Sequence, residues 1–297
     1  MKLADTPITQ HHFADIPFYL KRDDLLHPQF SGNKARKFMA LLDNDYPEIT
    51  TLIGYGSAQA NSLYSMAALA NLKGWQLEFY VDRIPSWLQQ QPNGNYQAAL
   101  ELGAQIIAVA DSQLHPAEYI NSIRHPNQEC LVVPEGGRCG LAEYGVTQLA
   151  KEILQWAQPK TDKEFVVALP SGTGTTALFL HKALSKHGIE VLTCACVGGK
   201  EYLKAQFEQL GESSHPTILE LETKHHFGKL YQQDYCIWQQ LHQEVGVEFE
   251  LLYDPMMWRC LTSWYPQNQH KQLIYIHQGG LLGNASMLPR YQRKYGD

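Results

Sequence analysis

Residues 165–176 read Phe-Val-Val-Ala-Leu-Pro-Ser-Gly-Thr-Gly-Thr-Thr, and the helical pattern Ala177–His187 follows at once. Five apolar residues without polar alternation predict a strand buried on both faces, the kind found in parallel sheets. A strand, a Gly/Ser/Thr turn and a helix in that order make one βα step. The same step recurs upstream. Thr51–Ile53 runs into Gly54-Tyr55-Gly56-Ser57 and a helix-like stretch to Leu72. Leu77–Val81 and Gln105–Ala110 read as strands around a helix over Asn95–Leu102 that ends at Gly103. Leu131–Val133 leads into Pro134-Glu135-Gly136-Gly137 and a helix over Leu141–Trp156. Downstream of 165–187, Val191–Val197 reads as a strand, Lys200–Leu210 as a helix, and Leu273–His277 as a late strand ending on Gly279-Gly280. Alternating β and α with buried strands predicts an α/β fold with mostly parallel sheets. The break at Pro159–Lys163 separates two such series and predicts two lobes. Ligands of open α/β sheets sit beyond the carboxyl ends of the strands, where each of these glycine-rich turns falls.

Bulk properties narrow the function. With 297 residues the chain exceeds one small core, and its 44% hydrophobic and 18% charged residues are ordinary for a globular protein. A formal charge of −6 gives no basic face for nucleic acid. The apolar runs are strand-sized, so no membrane span is expected. Met1 to His12 carry no apolar signal-peptide core, and the six cysteines lack a paired spacing; both point to a cytoplasmic protein with reduced thiols. No metal site is expected: His225-His226 and Cys194-x-Cys196 lack further ligands at a recognisable spacing.

Three segments carry chemistry. In Ser31-Gly32-Asn33-Lys34-Ala35-Arg36-Lys37 a lysine stands at a helix start beside two more cations. The helix dipole and those charges are expected to lower its pKa and favour a free, nucleophilic amine; the plain alternative is a solvated basic helix start. Ser171-Gly172-Thr173-Gly174-Thr175-Thr176 offers backbone N–H groups, hydroxyls and a helix N-terminus to a phosphate. It is neither a P-loop nor a dinucleotide fingerprint, and a mere glycine-rich turn is the alternative. Ser57-Ala58-Gln59-Ala60-Asn61-Ser62 begins another helix and offers donors to a carboxylate, or only a helix cap.

Taken in order, Lys21-Arg22-Asp23-Asp24, the Gly-Asn-Lys-Ala-Arg-Lys segment, Gln59-Ala60-Asn61 and the Ser171–Thr176 turn resemble the 1-aminocyclopropane-1-carboxylate deaminase and D-cysteine desulfhydrase family. The resemblance continues through Pro134-Glu135-Gly136-Gly137, Tyr144-Gly145, Tyr253-Asp254-Pro255 and His277-Gln278-Gly279-Gly280. It implies a two-domain, fold type II enzyme dependent on pyridoxal 5′-phosphate, acting on a small amino acid as a homodimer. The larger domain is expected from residues 1–40 plus 150–297, with a smaller one, 41–149, inserted in it. By the same resemblance Lys34 holds the cofactor and Asn61 meets its 3′-hydroxyl. Ser171, Gly172, Thr173, Gly174, Thr175 and Thr176 form the phosphate cup. Ser57, Gln59, Asn61 and Ser62 take the substrate carboxylate, and Tyr231 is an active-site tyrosine.

The sequence departs from the family pattern at three places. Ala60 replaces a serine, Gln278 stands where a threonine meets the pyridine nitrogen, and Met257 occupies the position expected to hold a tyrosine after the Asp-Pro pair. A hydroxyl and a phenol lost together predict poor turnover of 1-aminocyclopropane-1-carboxylate. A neutral amide at Gln278 favours elimination or deamination. The rival expectations are a cofactor-binding protein with little catalysis, and a different reaction such as β-replacement or racemisation.

Overall fold

The structure, a computed structural model, describes residues 3–160 and 162–296. Thr161, inside the break at 159–163, and Met1 and Lys2, at the start of the polar first segment, lie outside them. The chain opens with an antiparallel hairpin, β1 (Ile8–Phe13) and β2 (Ile16–Lys21), followed by helix α1 (Gly32–Asp43). Next come β3 (Thr51–Tyr55), α2 (Asn61–Lys73), β4 (Gln76–Val81), α3 (Ser86–Gln90), α4 (Gly94–Glu101), β5 (Gln105–Ala108), α5 (Pro116–Tyr119) and β6 (Cys130–Val132). After α6 (Ala142–Ala157) follow β7 (Glu164–Ser171), α7 (Thr175–Leu184), β8 (Glu190–Ala195), α8 (Gly199–Gln209) and β9 (Thr217–Leu219). The chain ends with α9 (Gln232–Val245), α10 (Asp254–Trp264), β10 (Lys271–Ile276) and α11 (Asn284–Tyr295).

Two sheets result. A four-stranded parallel sheet has the order β5-β4-β3-β6, and a six-stranded one runs β1-β2-β10-β7-β8-β9. In the larger sheet only the β1–β2 pair is antiparallel. The fold is α/β with mostly parallel sheets, as the recurring βα step predicts. The hairpin escapes the sequence reading because β1 is a half-exposed edge strand with two histidines and no clean alternation. Strand β7 also runs on through Pro170 and Ser171, which the sequence reading places in the turn. Its last residues pair with Cys194 and Ala195 of β8.

The smaller sheet packs on α1, α2 and α4 through Leu52, Leu63, Phe79 and Phe38. The larger is covered on one side by α6 and α7, and on the other by α9 and α10. Trp258 of α10 fills this second layer, with ring centroids 4.7 Å from Phe18 and 4.9 Å from Tyr275. Among the described residues no helix is long and apolar enough to cross a membrane.

A buried ionic cluster ties α1 to the hairpin and to α6. Arg36 Nε donates to Asp23 Oδ2 at 2.8 Å, its Nη1 to Glu152 Oε1 at 2.8 Å, and Lys21 lies 2.6 Å from Glu152. All four side chains are buried. Burial alone would raise the Asp23 carboxyl, but Arg36's charge and hydrogen bonds, with Lys21 and Thr6, hold it below the usual carboxylate range. A depressed folded pKa stabilises the protein fully above the unfolded value near 4 and loses that contribution as pH falls through the folded value. Asp23→Asn is therefore expected to flatten the acid limb of stability below about pH 4, by roughly 1.4 kcal/mol per unit of depression. Urea unfolding of both proteins from pH 2 to 7 checks this; parallel acid limbs would rule it out.

Candidate active site

The carboxyl ends of β3, β7 and β10 converge on one cavity of about 1240 Å³. It is lined from the smaller sheet's side by Ser57, residues 59–62 and Glu135-Gly136. From the larger sheet's side it is lined by residues 170–176, Glu250, residues 252–254 and Gln278-Gly279. Helices α1 and α11 contribute Lys34, Lys37 and several residues around Met287.

Lys34 sits in the first turn of α1, whose start is fixed against the end of β10. The Asn33 N–H donates to the Gln278 carbonyl at 3.1 Å. Gly32 has φ +64°, and a Cβ there would stand 1.8 Å from that same carbonyl oxygen, so only glycine allows this approach. The Lys34 amine donates to Asn33 Oδ1 at 3.3 Å. Its pKa is lowered to about 8 by burial, against an opposing pull from Glu250. The direction expected from the sequence holds, but its cause differs. Arg36 points away into the cluster with Asp23 and Glu152 and is not the source of the shift.

Lys37, one turn along, does reach the site. Its ammonium donates to the Gly136 carbonyl at 2.9 Å and to Thr173 Oγ1 at 3.1 Å. Burial pushes its pKa well down, and the charge of Lys34 adds to the effect.

The turn 171–176 is built on a buried foundation. Ser171 Oγ and Thr193 Oγ1 are 2.6 Å apart beneath it, while Thr173 Oγ1 and Thr175 Oγ1 are 3.1 Å apart above. Thr176 Oγ1 is buried without a hydrogen-bond partner. The two glycines differ. Gly174 has φ +72°, and a Cβ there would press 2.4 Å from Leu203 and Phe207 in the core. A Cβ on Gly172 would enter the cavity 3.4 Å from the Tyr253 ring and hydroxyl.

Across the cavity, Gln59 Nε2 donates to Asn93 Oδ1 at 3.3 Å, and its Oε1 is buried without a partner. Asn61, the first residue of α2, accepts from Asn95 Nδ2 at 2.7 Å. Ser57, Ala60 and Ser62 line the same wall. Gln278 commits its amide donor to the Pro170 carbonyl at 2.7 Å, leaving an uncharged oxygen free.

Two expectations are corrected. Tyr231 is not among the residues that line the cavity; its ring stacks on His225 at 4.5 Å and its hydroxyl accepts from the His226 N–H. His225 in turn bonds Asp234 at 2.7 Å, which ties the Tyr231 ring to α9, while Phe227 and Gly228 of the same loop line the cavity. Met257 is fully buried in the core, and the cavity is lined by two tyrosines, Tyr253 and Tyr202. The phenol read as missing is thus present. Pro255 was the signal that could have found it: a proline in the first turn of a helix makes Tyr253 the N-cap and sends Met257 into the helix interior.

Glu250 and Asp254 also line the cavity and were not singled out from sequence. Asp254 accepts from the Tyr275 hydroxyl at 2.6 Å and from the Glu250 N–H at 2.8 Å. Burial raises its carboxyl, with His277 opposing. Glu250 Oε2 accepts from the backbone N–H groups of Leu252 and Tyr253, each at 2.8 Å. Among the described residues no group of three or more His, Cys, Asp or Glu is placed to hold a metal ion.

Comparison with known proteins gives a consistent result. Residues 2–227 match the sequence model of a family described as pyridoxal-phosphate dependent enzymes. A protein of Thermotoga maritima, named as a candidate 1-aminocyclopropane-1-carboxylate deaminase, is 25% identical over 283 residues, 89% of each chain. D-cysteine desulfhydrase of Salmonella typhi is 28% identical over 166 residues, 54% of this chain and 50% of that one. Among solved structures, a homologue of 1-aminocyclopropane-1-carboxylate deaminase superimposes with a TM-score of 0.80 at 18% identity, covering 98% of this chain and 95% of the other.

Proposed function

Because the chain belongs to the pyridoxal-phosphate dependent enzymes, we propose that it is a lyase or deaminase of a small amino acid, with Lys34 holding the cofactor. The observation that carries this reading is a buried amine, Lys34, facing the same cavity as the glycine- and threonine-rich turn at the N-terminus of α7. The residues present fit the cofactor. Thr176 Oγ1 is a buried hydroxyl that lacks a partner, a Cβ on Gly172 would enter the cavity beside Tyr253, and Lys37 brings an amine against Thr173.

Pyridoxal phosphate, when bound, supplies an aldehyde that joins to amines and a ring that draws electrons from the α-carbon of an amino acid. The 171–176 turn and Lys37 would hold its phosphate through backbone N–H groups, hydroxyls and one ammonium. Lys34, lowered to about 8, becomes a neutral nucleophile at a pH where an exposed lysine stays charged, and can afterwards take up or return a proton at Nζ. Gln59, Asn61 and Ser62 at the start of α2, with Ser57, would orient a substrate carboxylate. Gln278 would set an uncharged amide, rather than a carboxylate, beside the ring nitrogen. Tyr253 supplies a phenol where two missing hydroxyls had been expected, so the loss at Ala60 stands alone, worth about 10²–10⁴-fold in a proton transfer. We further propose that the protein works in the cytoplasm as a homodimer, as the family resemblance implies; light scattering of the purified protein tests the second part.

The functional test is an absorbance titration with D-cysteine, 1-aminocyclopropane-1-carboxylate and D- and L-serine, with ammonia and keto-acid release measured alongside. Release of both from at least one of them is expected. A spectrum that answers amino acids without any release would point instead to a binding protein. A second prediction concerns the turn. Gly172→Val places methyl groups in the cavity and is expected to weaken cofactor retention at least about tenfold, equivalent to 1.4 kcal/mol, without lowering the melting temperature of the cofactor-free protein. Equilibrium dialysis decides it. Gly174→Val, whose side chain strikes Leu203 and Phe207, should instead lower stability first.

A further inference from the structure

We propose that Glu250 serves the reaction as a carboxylic acid, delivering a proton from Oε1 to the amino-acid substrate. The proposal rests on the reading of the site given above. Glu250 lies in the cavity wall, 3% exposed, and its two oxygens are not equivalent. Oε2 is occupied by the N–H groups of Leu252 and Tyr253, two donors that fix the side chain at the entry to α10. Oε1 is buried and without a hydrogen-bond partner. A proton on this carboxyl therefore belongs on Oε1, because protonating Oε2 would set an O–H against two N–H donors.

Oε1 faces Gly283 and Asn61, both of which line the cavity. A Cβ on Gly283 would stand 3.0 Å from Oε1 and 3.4 Å from Asn61 Oδ1, and Gly283 itself lines the cavity. Any larger residue there would press on both oxygens. The titratable groups that act on Glu250 are Asp254 of α10, which disfavours its charge, and Lys34 of α1, which favours it. Tyr253 faces it from the same turn. On the α2 and α4 side its neighbours are the uncharged Asn61 and Asn95. Burial, followed by Asp254, raises the Glu250 carboxyl to about 8, so at neutral pH the group keeps its proton.

The step balances simply. As the bond to the substrate's leaving atom breaks, that atom keeps the electron pair and takes the proton from Oε1. Glu250 is left as a carboxylate, with Lys34 the neighbouring cation, and recovers a proton from water as product departs. Lys34 remains the group that holds the cofactor; Glu250 supplies a second, separately placed proton.

Glu250→Gln keeps both backbone N–H donors on its carbonyl oxygen and removes only the acid. The starting condition is a holoenzyme whose borohydride-reduced adduct maps to Lys34 and which releases product from a panel amino acid; failure there would count against the functional reading, not against Glu250. Given that condition, Glu250→Gln should keep its cofactor absorbance and lose about 10²–10⁴-fold in kcat with little change in KM. The fall in wild-type kcat as pH rises through about 8 should vanish in the variant. A direct readout is the infrared carbonyl band of a protonated carboxyl in holoenzyme labelled with ¹³C-glutamate, which separates Glu250 from Asp254. The band should be present at pH 7, lost by pH 10 and missing from Glu250→Gln. A variant kcat within threefold of wild type, or no labelled acid band at pH 7, overturns the proposal. Should the variant fail to fold, the wild-type band alone decides.

Discussion

Lys34→Ala is expected to yield a folded but colourless protein whose turnover drops by about 10⁴-fold or more, to the level of free cofactor. The substitution removes the buried amine whose lowered pKa makes it a nucleophile, and nothing else at the start of α1 depends on its ammonium beyond one hydrogen bond to Asn33. The informative complication is Lys37. It is also buried, burial pushes its pKa well down, and the charge of Lys34 adds to that. Its amine, however, is held by the Gly136 carbonyl and Thr173, at the far side of the turn. Reduction with borohydride followed by peptide mapping is expected to find the cofactor on Lys34 in wild type and on no lysine in the variant. An adduct on Lys37 in either protein would exchange the roles of the two lysines.

Gly32→Ala is expected to cost more than about 4 kcal/mol and to release the cofactor as well. At φ +64° an alanine is strained by roughly 1–2 kcal/mol before any contact is counted. Its methyl would then overlap the Gln278 carbonyl at 1.8 Å, and neither backbone can yield without parting α1 from the end of β10. That junction sets both Lys34 and Gln278. Chemical denaturation of the cofactor-free protein measures the first effect, and dialysis of the loaded protein the second. Stability within 1 kcal/mol of wild type would show that α1 can move off the end of β10 at little cost.

These residues also show what a sequence discloses. The βα rhythm was legible because parallel strands buried on both faces are apolar throughout, as Phe165–Leu169 illustrates. That Lys34 and the Ser171–Thr176 turn meet in one cavity was legible because the glycines beside them mark close backbone approach. Tyr253 and Met257 were exchanged because the pattern counted residues after Asp-Pro, whereas Pro255 fixes a helix start and thereby the direction of every side chain that follows. Glu250 was invisible for a different reason. A single glutamate between Phe249 and Leu251 has no local signature; only the folded chain shows that one oxygen is satisfied and the other is not. Tyr231 had a motif around it, but its ring turned to His225.

The position of β10 governs how the molecule comes into being. It lies between β2 and β7, so Phe18 pairs with Leu273 and Tyr19 with Ile274. During synthesis the β1–β2 hairpin emerges well before β10, and its sheet has no centre until β10 has followed. The four-stranded sheet, made wholly from residues 51–132, can close long before. Joining partners some 250 residues apart carries a large loop-closure cost and makes this the slow step of assembly. Until then, the exposed edges of β2 and β7 are open to a wrong strand, the hazard against which cells keep chaperones. Because Gln278, whose carbonyl anchors α1 beside Gly32, follows directly on β10, the cavity cannot be completed before that strand is in place.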